Sequence, residues 1–315
     1  MKKTALKSVA AAVLALVLAG SQAAAEPAKE LRIGFQKYGT LLLIKAHGTL
    51  DKRLAPLGVS VKWQEFAAGP QLLEALNVGS VDFGTVGETP PIFAQAAGAP
   101  IVYVGYEPPT PAGEGILVPK DSPIRSIADL KGKKVALNKG SNVHYLLVRA
   151  LESQGLSLKD IQPAYLPPAD ARAAFERGSV DAWVIWDPFY VAAERATGAK
   201  VLADGKGLVN NYQFYLATRS FAKDNPKVVE ALLEEIREVA QWAATHPREA
   251  AEIIAPQTGI DVAALEIAIG RLGYGVKPLD EKVAAYQQNI ADTFFELGLV
   301  PKKIDIGEAL PAALR

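Results

Sequence analysis

The chain carries a long internal repeat, and this limits its fold more than anything else in the sequence. Gly79-Ser80-Val81-Asp82 returns 99 residues later as Gly178-Ser179-Val180-Asp181, and at the same offset Glu88 falls opposite Asp187. The stretch Arg32-Ile33-Gly34-Phe35-Gln36-Lys37 likewise corresponds to Lys134-Val135-Ala136-Leu137-Asn138-Lys139, each running into a small-residue turn and a helical pattern. Matched elements in one order, a domain's length apart, call for two similar lobes.

Apolar runs at Leu31–Phe35, Val59–Phe66, Val81–Val86 and Ile101–Tyr106 read as strands, alternating with helical patterns at Thr40–Leu50, Pro70–Leu76 and Pro90–Ala97. This is the βαβ order of a mainly parallel sheet wrapped by helices. The proline and glycine cluster from Glu107 to Gly113 breaks the pattern and predicts a crossover to the second lobe. A strand at Tyr212–Ala217 marks a return, and Asn225-Pro226 then opens a long amphipathic helix, with further helices to Leu297 expected to pack back on the first lobe. The expected fold is therefore α/β and two-lobed, with two chain crossings at a hinge. The first lobe covers 26–112 with 208–315 and the second 113–207. Such a hinge closes on a small ligand.

The N-terminus predicts an address. Lys2, Lys3 and Lys7 precede an apolar run from Val9 to Ala19, then Gly20, Ser21 and Ala23-Ala24-Ala25. This is the layout of a signal peptide over residues 1–25, and the run is far shorter than the roughly 18–20 residues of a membrane span. The 315 residues include no cysteine, which excludes a lipid anchor, disulfides, thiolate metal sites and thiol nucleophiles. A freely diffusing, monomeric periplasmic protein is expected. Charge is balanced at 34 basic and 34 acidic residues, so no basic face calls for nucleic acid.

In parallel sheets ligands sit beyond the carboxyl ends of strands, where helix N-termini offer free N–H groups. The loops to read are Gln36–Thr40, Ala68–Gln71, Gly87–Pro91, Lys139–His144, Pro167–Asp170 and Trp186–Phe189. Most of these combine a small residue, a capping oxygen and a proline in the first turn, and several facing one cleft would hold an anion. Each also has a plain reading. Thr40, Ser141 and Asn142 serve as N-caps, Asp187 before Pro188 is the strongest cap signal, Lys37 and Lys139 are solvated, and Trp183 and Trp186 belong to core. Arg172, in a first helical turn against the dipole, is either exposed or an anion contact. Three scattered histidines make no metal site, and GxSxG, Walker and GxGxxG motifs are missing, so neither catalysis nor a cofactor is expected.

The residues resemble the periplasmic aliphatic sulfonate-binding proteins of bacterial ABC transporters, relatives of the taurine- and nitrate-binding proteins. In the first half the resemblance rests on Arg32–Lys37, Gly69-Pro70-Gln71-Leu72-Leu73-Glu74-Ala75-Leu76-Asn77-Val78-Gly79 and Pro90-Pro91-Ile92-Phe93-Ala94-Gln95-Ala96-Ala97-Gly98. Later it rests on Pro168-Ala169-Asp170-Ala171-Arg172-Ala173-Ala174-Phe175, Asp181-Ala182-Trp183, Ile185-Trp186-Asp187-Pro188 and Leu299-Val300-Pro301-Lys302-Lys303. It implies a periplasmic binding protein fold of type II, capture of an alkanesulfonate between the lobes and delivery to a membrane permease for sulfur acquisition, with taurine, nitrate or another small anion as the alternative. The ligand-binding positions it implies are Gln36, Gly69, Gln71, Glu88, Thr89, Ser141, Asn142, His144, Trp186 and Asp187. If Glu88 and Asp187 cap their own helices, as expected, the cleft shows donors and apolar walls, which favours a plain alkanesulfonate over taurine; an acid pointing into the cleft would pair with an amine and favour taurine.

Overall fold

The computed structural model describes residues 29–311, so the expected leader and its cleavage point lie outside the described residues. Nine strands follow in order before the chain returns: β1 (Glu30–Phe35), β2 (Ser60–Glu65), β3 (Phe83–Gly87), β4 (Ile101–Glu107), β5 (Glu114–Val118), β6 (Lys134–Leu137), β7 (Gln162–Tyr165), β8 (Ala182–Trp186) and β9 (Lys200–Asp204). The returning strand is β10 (Gln213–Thr218). They form two five-stranded sheets, ordered β2-β1-β3-β10-β4 and β7-β6-β8-β5-β9.

The two orders are the same plan. In each sheet four strands run the same way, and the strand delivered by a chain crossing, β10 or β5, lies antiparallel between two of them. The sheets are thus mixed where the sequence predicts mainly parallel ones, because each crossing enters its new lobe from the hinge end.

The repeated Gly-Ser-Val-Asp has one job in both lobes. Gly79 and Gly178 both take φ 68°, a left-handed turn that ends the preceding helices Gly69–Asn77 and Pro168–Glu176. Asp82 then accepts the Arg32 backbone N–H through Oδ2 at 2.9 Å, and Asp181 accepts that of Lys134 at 2.7 Å. Each aspartate therefore sets its strand beside the opening strand of its lobe.

Helix Gly69–Asn77 lies so close on β1 and β3 that a Cβ at Gly84 would stand 2.6 Å from a Leu72 methyl. The helix predicted over 40–50 ends at His47, where Gly48 adopts φ 65°, and a short helix Leu50–Leu54 follows. Helices Pro226–Thr245, Pro247–Thr258 and Val262–Gly270 return to the first lobe, burying Leu232, Ile236, Ile254 and Leu265 with Leu41–Ile44 in one core.

The crossings are tied together. The Thr110 hydroxyl donates to the Asn211 carbonyl at 2.9 Å, and Asn211 Nδ2 donates back to the Thr110 carbonyl at 3.0 Å. Asn211 holds φ 51°, a left-handed conformation that asparagine tolerates better than most residues. The lobes also meet on both flanks of this hinge. On one flank Arg271, following helix Val262–Gly270, reaches Tyr190 and Glu194 of helix Phe189–Thr197; on the other, Tyr145 of helix Asn142–Glu152 packs on Tyr286 and Phe294 of the last helix, Glu281–Glu296. The cleft is closed.

Candidate ligand cleft

A cavity lies between the sheets, beyond the carboxyl ends of β1, β3 and β8 and beside the two crossings. Its empty space, mouth included, is about 450 Å³. Gln36, Gly69, Asn142, Trp186 and Asp187 from the predicted set line it, together with Tyr38, Thr110, Asn211, Gln213, Arg271 and Leu272.

The polar groups are held in place. Gln36 Nε2 donates to the Thr85 carbonyl at 3.2 Å, which leaves its second N–H for the cavity. Gln213 Nε2 spends one N–H on Asn211 Oδ1 at 3.2 Å. Asn142 Nδ2 donates to the same Oδ1 at 3.1 Å and to the buried carboxyl of Glu114. Gly69 and Asn142 open helices, so their backbone N–H groups have no intrahelical acceptor. Gly69 is required at its position: a Cβ there would meet Pro90 at 2.8 Å.

Asp187 and Arg271 are the charged pair of the site. Arg271 donates through one nitrogen to both Asp187 oxygens, at 3.2 and 3.5 Å, and its guanidinium lies 4.9 Å over the Tyr190 ring. Asp187 also accepts the Val191 N–H at 3.1 Å. It turns back onto its own helix as expected, but the helix begins at Phe189 with Pro188 at the N-cap, so Asp187 is not the cap. Burial raises its carboxyl to about 6, against the opposing pull of Arg271.

Glu88 behaves differently from the expectation. It does not cap the following helix; it reaches across to the second crossing, where Oε2 accepts the Tyr212 N–H at 2.9 Å and Oε1 the Tyr286 hydroxyl at 3.2 Å. Complete burial lifts it to about 8, so it carries little charge at neutral pH. Glu114 is pushed well above the ordinary carboxylate range by burial and by the nearby Glu88.

The other predicted residues stand apart from the cavity. Gln71 faces solvent on its helix. Thr89 is buried at the start of helix Pro90–Ala96, and Ser141 donates to the Asn138 carbonyl at 2.7 Å. His144 accepts the Gly140 N–H and packs against Tyr165 and Phe294, where burial lowers it to about 4. Arg172 is half-buried and pairs with Glu176 at 2.7 Å, one turn along its helix.

Arg271, Asn211 and Gln213 line the cavity without being among the positions expected from the sequence. The adjacent Asn210-Asn211 in the predicted second crossing was a usable signal, although Asn211 alone of the two lines the cavity; Arg271, in the tail, offered none.

Comparison with known proteins shows the family. Residues 55–250 match the NMT1/THI5 like family. An aliphatic sulfonates-binding protein of Escherichia coli (strain K12) is 49% identical over 91% of this chain and 90% of its own. The chain belongs to the aliphatic sulfonate-binding proteins. Among solved structures, the alkanesulfonate-binding protein SsuA from Xanthomonas axonopodis pv. citri bound to MOPS shares 43% identity, with a TM-score of 0.87 over 91% of this chain and 99% of that one. The periplasmic aliphatic sulphonate binding protein SsuA from Escherichia coli follows at 48% identity and a TM-score of 0.80, covering 88% and 90% of the two chains. These relatives are binding proteins, not enzymes.

Proposed function

We propose that this protein captures alkanesulfonates in the periplasm and hands them to the permease of an ABC importer. The observation that carries the reading is the cavity's combination of convergent donors with apolar walls. Gln36, Gln213, Arg271 and two helix starts surround a space otherwise faced by Tyr38, Trp186 and Leu272. A sulfonate is a permanent anion whose oxygens accept hydrogen bonds and donate none, which matches a cradle that offers several donors and whose one ionised acid is paired with Arg271. Three charge-assisted bonds at about 1.5–3 kcal/mol each bring the gross interaction to the −8 kcal/mol of micromolar binding before ordering costs are met. The one ionised acid in the cavity wall, Asp187, is matched by Arg271, so it does not select for a second, cationic group on the ligand. Plain alkanesulfonates are therefore preferred to taurine, and sulfate is disfavoured by the cost of desolvating its second charge.

In this reading residues 26–112 with 208–315 and residues 113–207 are the two lobes, and a monomer closes by bringing Asn142, Trp186 and Asp187 onto the first lobe. Family membership supports the periplasmic address and the transporter partner. Calorimetric titration with MOPS, butanesulfonate, taurine and sulfate tests the assignment. Micromolar or tighter binding of the first two, with sulfate at least tenfold weaker, is expected; sulfate or nitrate binding while every sulfonate fails would refute it.

A further inference from the structure

Glu114 opens β5, where the first crossing enters the second lobe, and its side chain is wholly buried. Oε2 accepts from Asn142 Nδ2, while Oε1 has no hydrogen-bond partner, and among the described residues no cation pairs with the carboxyl. The acid that acts on it most is Glu88 of the first lobe, buried as completely. The other charged groups around β5 are matched: Asp187 and Glu194 by Arg271, Asp204 on β9 by Lys206, and Arg149 of helix Asn142–Glu152 by Glu152. Burial keeps the nearby Tyr38 phenol and the His144 imidazole neutral near pH 7.

Asn142 joins this acid to the ligand site. It lines the cavity, gives an N–H to Asn211 Oδ1 on the other crossing, and lies so close to Gly87 of the first lobe that a Cβ there would stand 2.9 Å from its own. Both of its amide hydrogens are spent, which fixes the side chain where the lobes meet. An ionised Glu114 would be a buried charge without a cation, beside Glu88 and behind a cavity whose cation, Arg271, is already matched by Asp187. The arriving sulfonate adds one more negative charge to the same place. Parting the lobes withdraws Gly87 and Glu88 and admits water to Asn142 and Glu114, which relieves the penalty.

We propose that Glu114 is a positioning residue that acts through Asn142 and takes up a proton as the lobes close, so that the protein captures its anion together with a proton. The inference rests on the sulfonate reading above and gives that site a pH dependence. Because the closed form binds the proton more tightly, affinity falls as pH rises above the ordinary carboxylate range, by up to about tenfold per pH unit for one proton.

Calorimetric titration with butanesulfonate near pH 7, in cacodylate and again in imidazole, counts the protons exchanged, and neither buffer is a sulfonate. The wild type should take up about one proton per ligand, and its affinity should decline between about pH 6 and 8.5. Glu114→Gln keeps an acceptor for Asn142 without an ionisable group, so proton uptake should all but vanish and the pH profile should flatten. Binding by the wild type with no proton exchanged would overturn the inference and leave the sulfonate reading standing, and this count needs no variant. Uptake that persists in Glu114→Gln, or parallel pH profiles for the two proteins, would overturn it as well. If no sulfonate binds the wild type at any pH, the sulfonate reading itself falls and takes the proton with it.

Discussion

Glu88 and Asp187 occupy the same place in the two repeats, each just past the end of the strand that follows Gly-Ser-Val-Asp, and they have opposite fates. In the first lobe the acid is fully buried away from the cavity and holds the second crossing through Tyr212 and Tyr286. In the second lobe it lines the cavity and reaches Arg271, which belongs to the other lobe. The Gly-Ser-Val-Asp segments themselves do not diverge; Asp82 and Asp181 both anchor a strand edge. Duplication thus preserved the scaffold contact while the acid one loop further on took on bracing in one copy and lobe-to-lobe pairing in the other.

Arg271→Met breaks this contrast most sharply. It leaves Asp187 buried without its cation and strips the cavity of its charged donor, so sulfonate affinity should fall by about 2–4 kcal/mol, on the scale of a lost buried ion partner. Calorimetry checks it, and Asp187→Asn in the same chain should recover part of the thermal stability but not the affinity. A single mutant that binds as well as the wild type would remove Arg271 from the site.

Gly87→Ala asks whether closure depends on the Glu88 side of the repeat at all. A Cβ at Gly87 would stand 2.9 Å from that of Asn142 in the opposite lobe, so the clash exists only when the cleft is shut. Affinity should drop by about 1–3 kcal/mol, the usual cost of overpacking, with the ligand-free melting temperature little changed. Scattering in saturating ligand should show a larger radius of gyration than the wild type; equal radii and equal affinity would mean that the contact yields freely.

Glu88→Gln should have the smallest effect, and on stability rather than binding. Because burial raises the Glu88 carboxyl to about 8, the folded state holds a proton that the unfolded chain has released between roughly pH 4.5 and 8, and stability falls as pH rises through that window. Glutamine removes the dependence. The variant should melt above the wild type by a few degrees at pH 9 and match it near pH 5, with sulfonate affinity unaltered at pH 7. Parallel pH dependences for the two proteins would show that Glu88 does not carry the proton.

The scaffold was readable because its signals are local: the repeat, the strand-to-helix alternation and the proline-rich crossing all lie within short windows. Gln36, Gly69, Asn142, Trp186 and Asp187 reach the cavity for the same reason, as each begins a helix or ends a parallel strand. Arg271 was not readable, because its partner lies 84 residues away and its own loop resembles any helix end. Glu88 misled for the same physical reason: its donor at Tyr212 is 124 residues distant, and a buried long-range donor displaces a helix cap that would leave the carboxylate half-solvated. The antiparallel placement of β10 brought Asn211 and Gln213 to the cavity from a strand's beginning, where a rule built on parallel strand ends does not look.

The position of β10 also sets an order of assembly. The second sheet is made of one continuous stretch and has all of its strands once residue 204 exists. The first sheet does not, for β10 is the one strand that β4 pairs with among the described residues, apart from a single bridge from Tyr106 to Lys277, and β4 stands as an open edge until Thr218 has been made. A chain that ends short of Gln213 therefore carries one complete sheet and one incomplete sheet, with Ile101–Glu107 left as a hydrogen-bonding template open to any other strand.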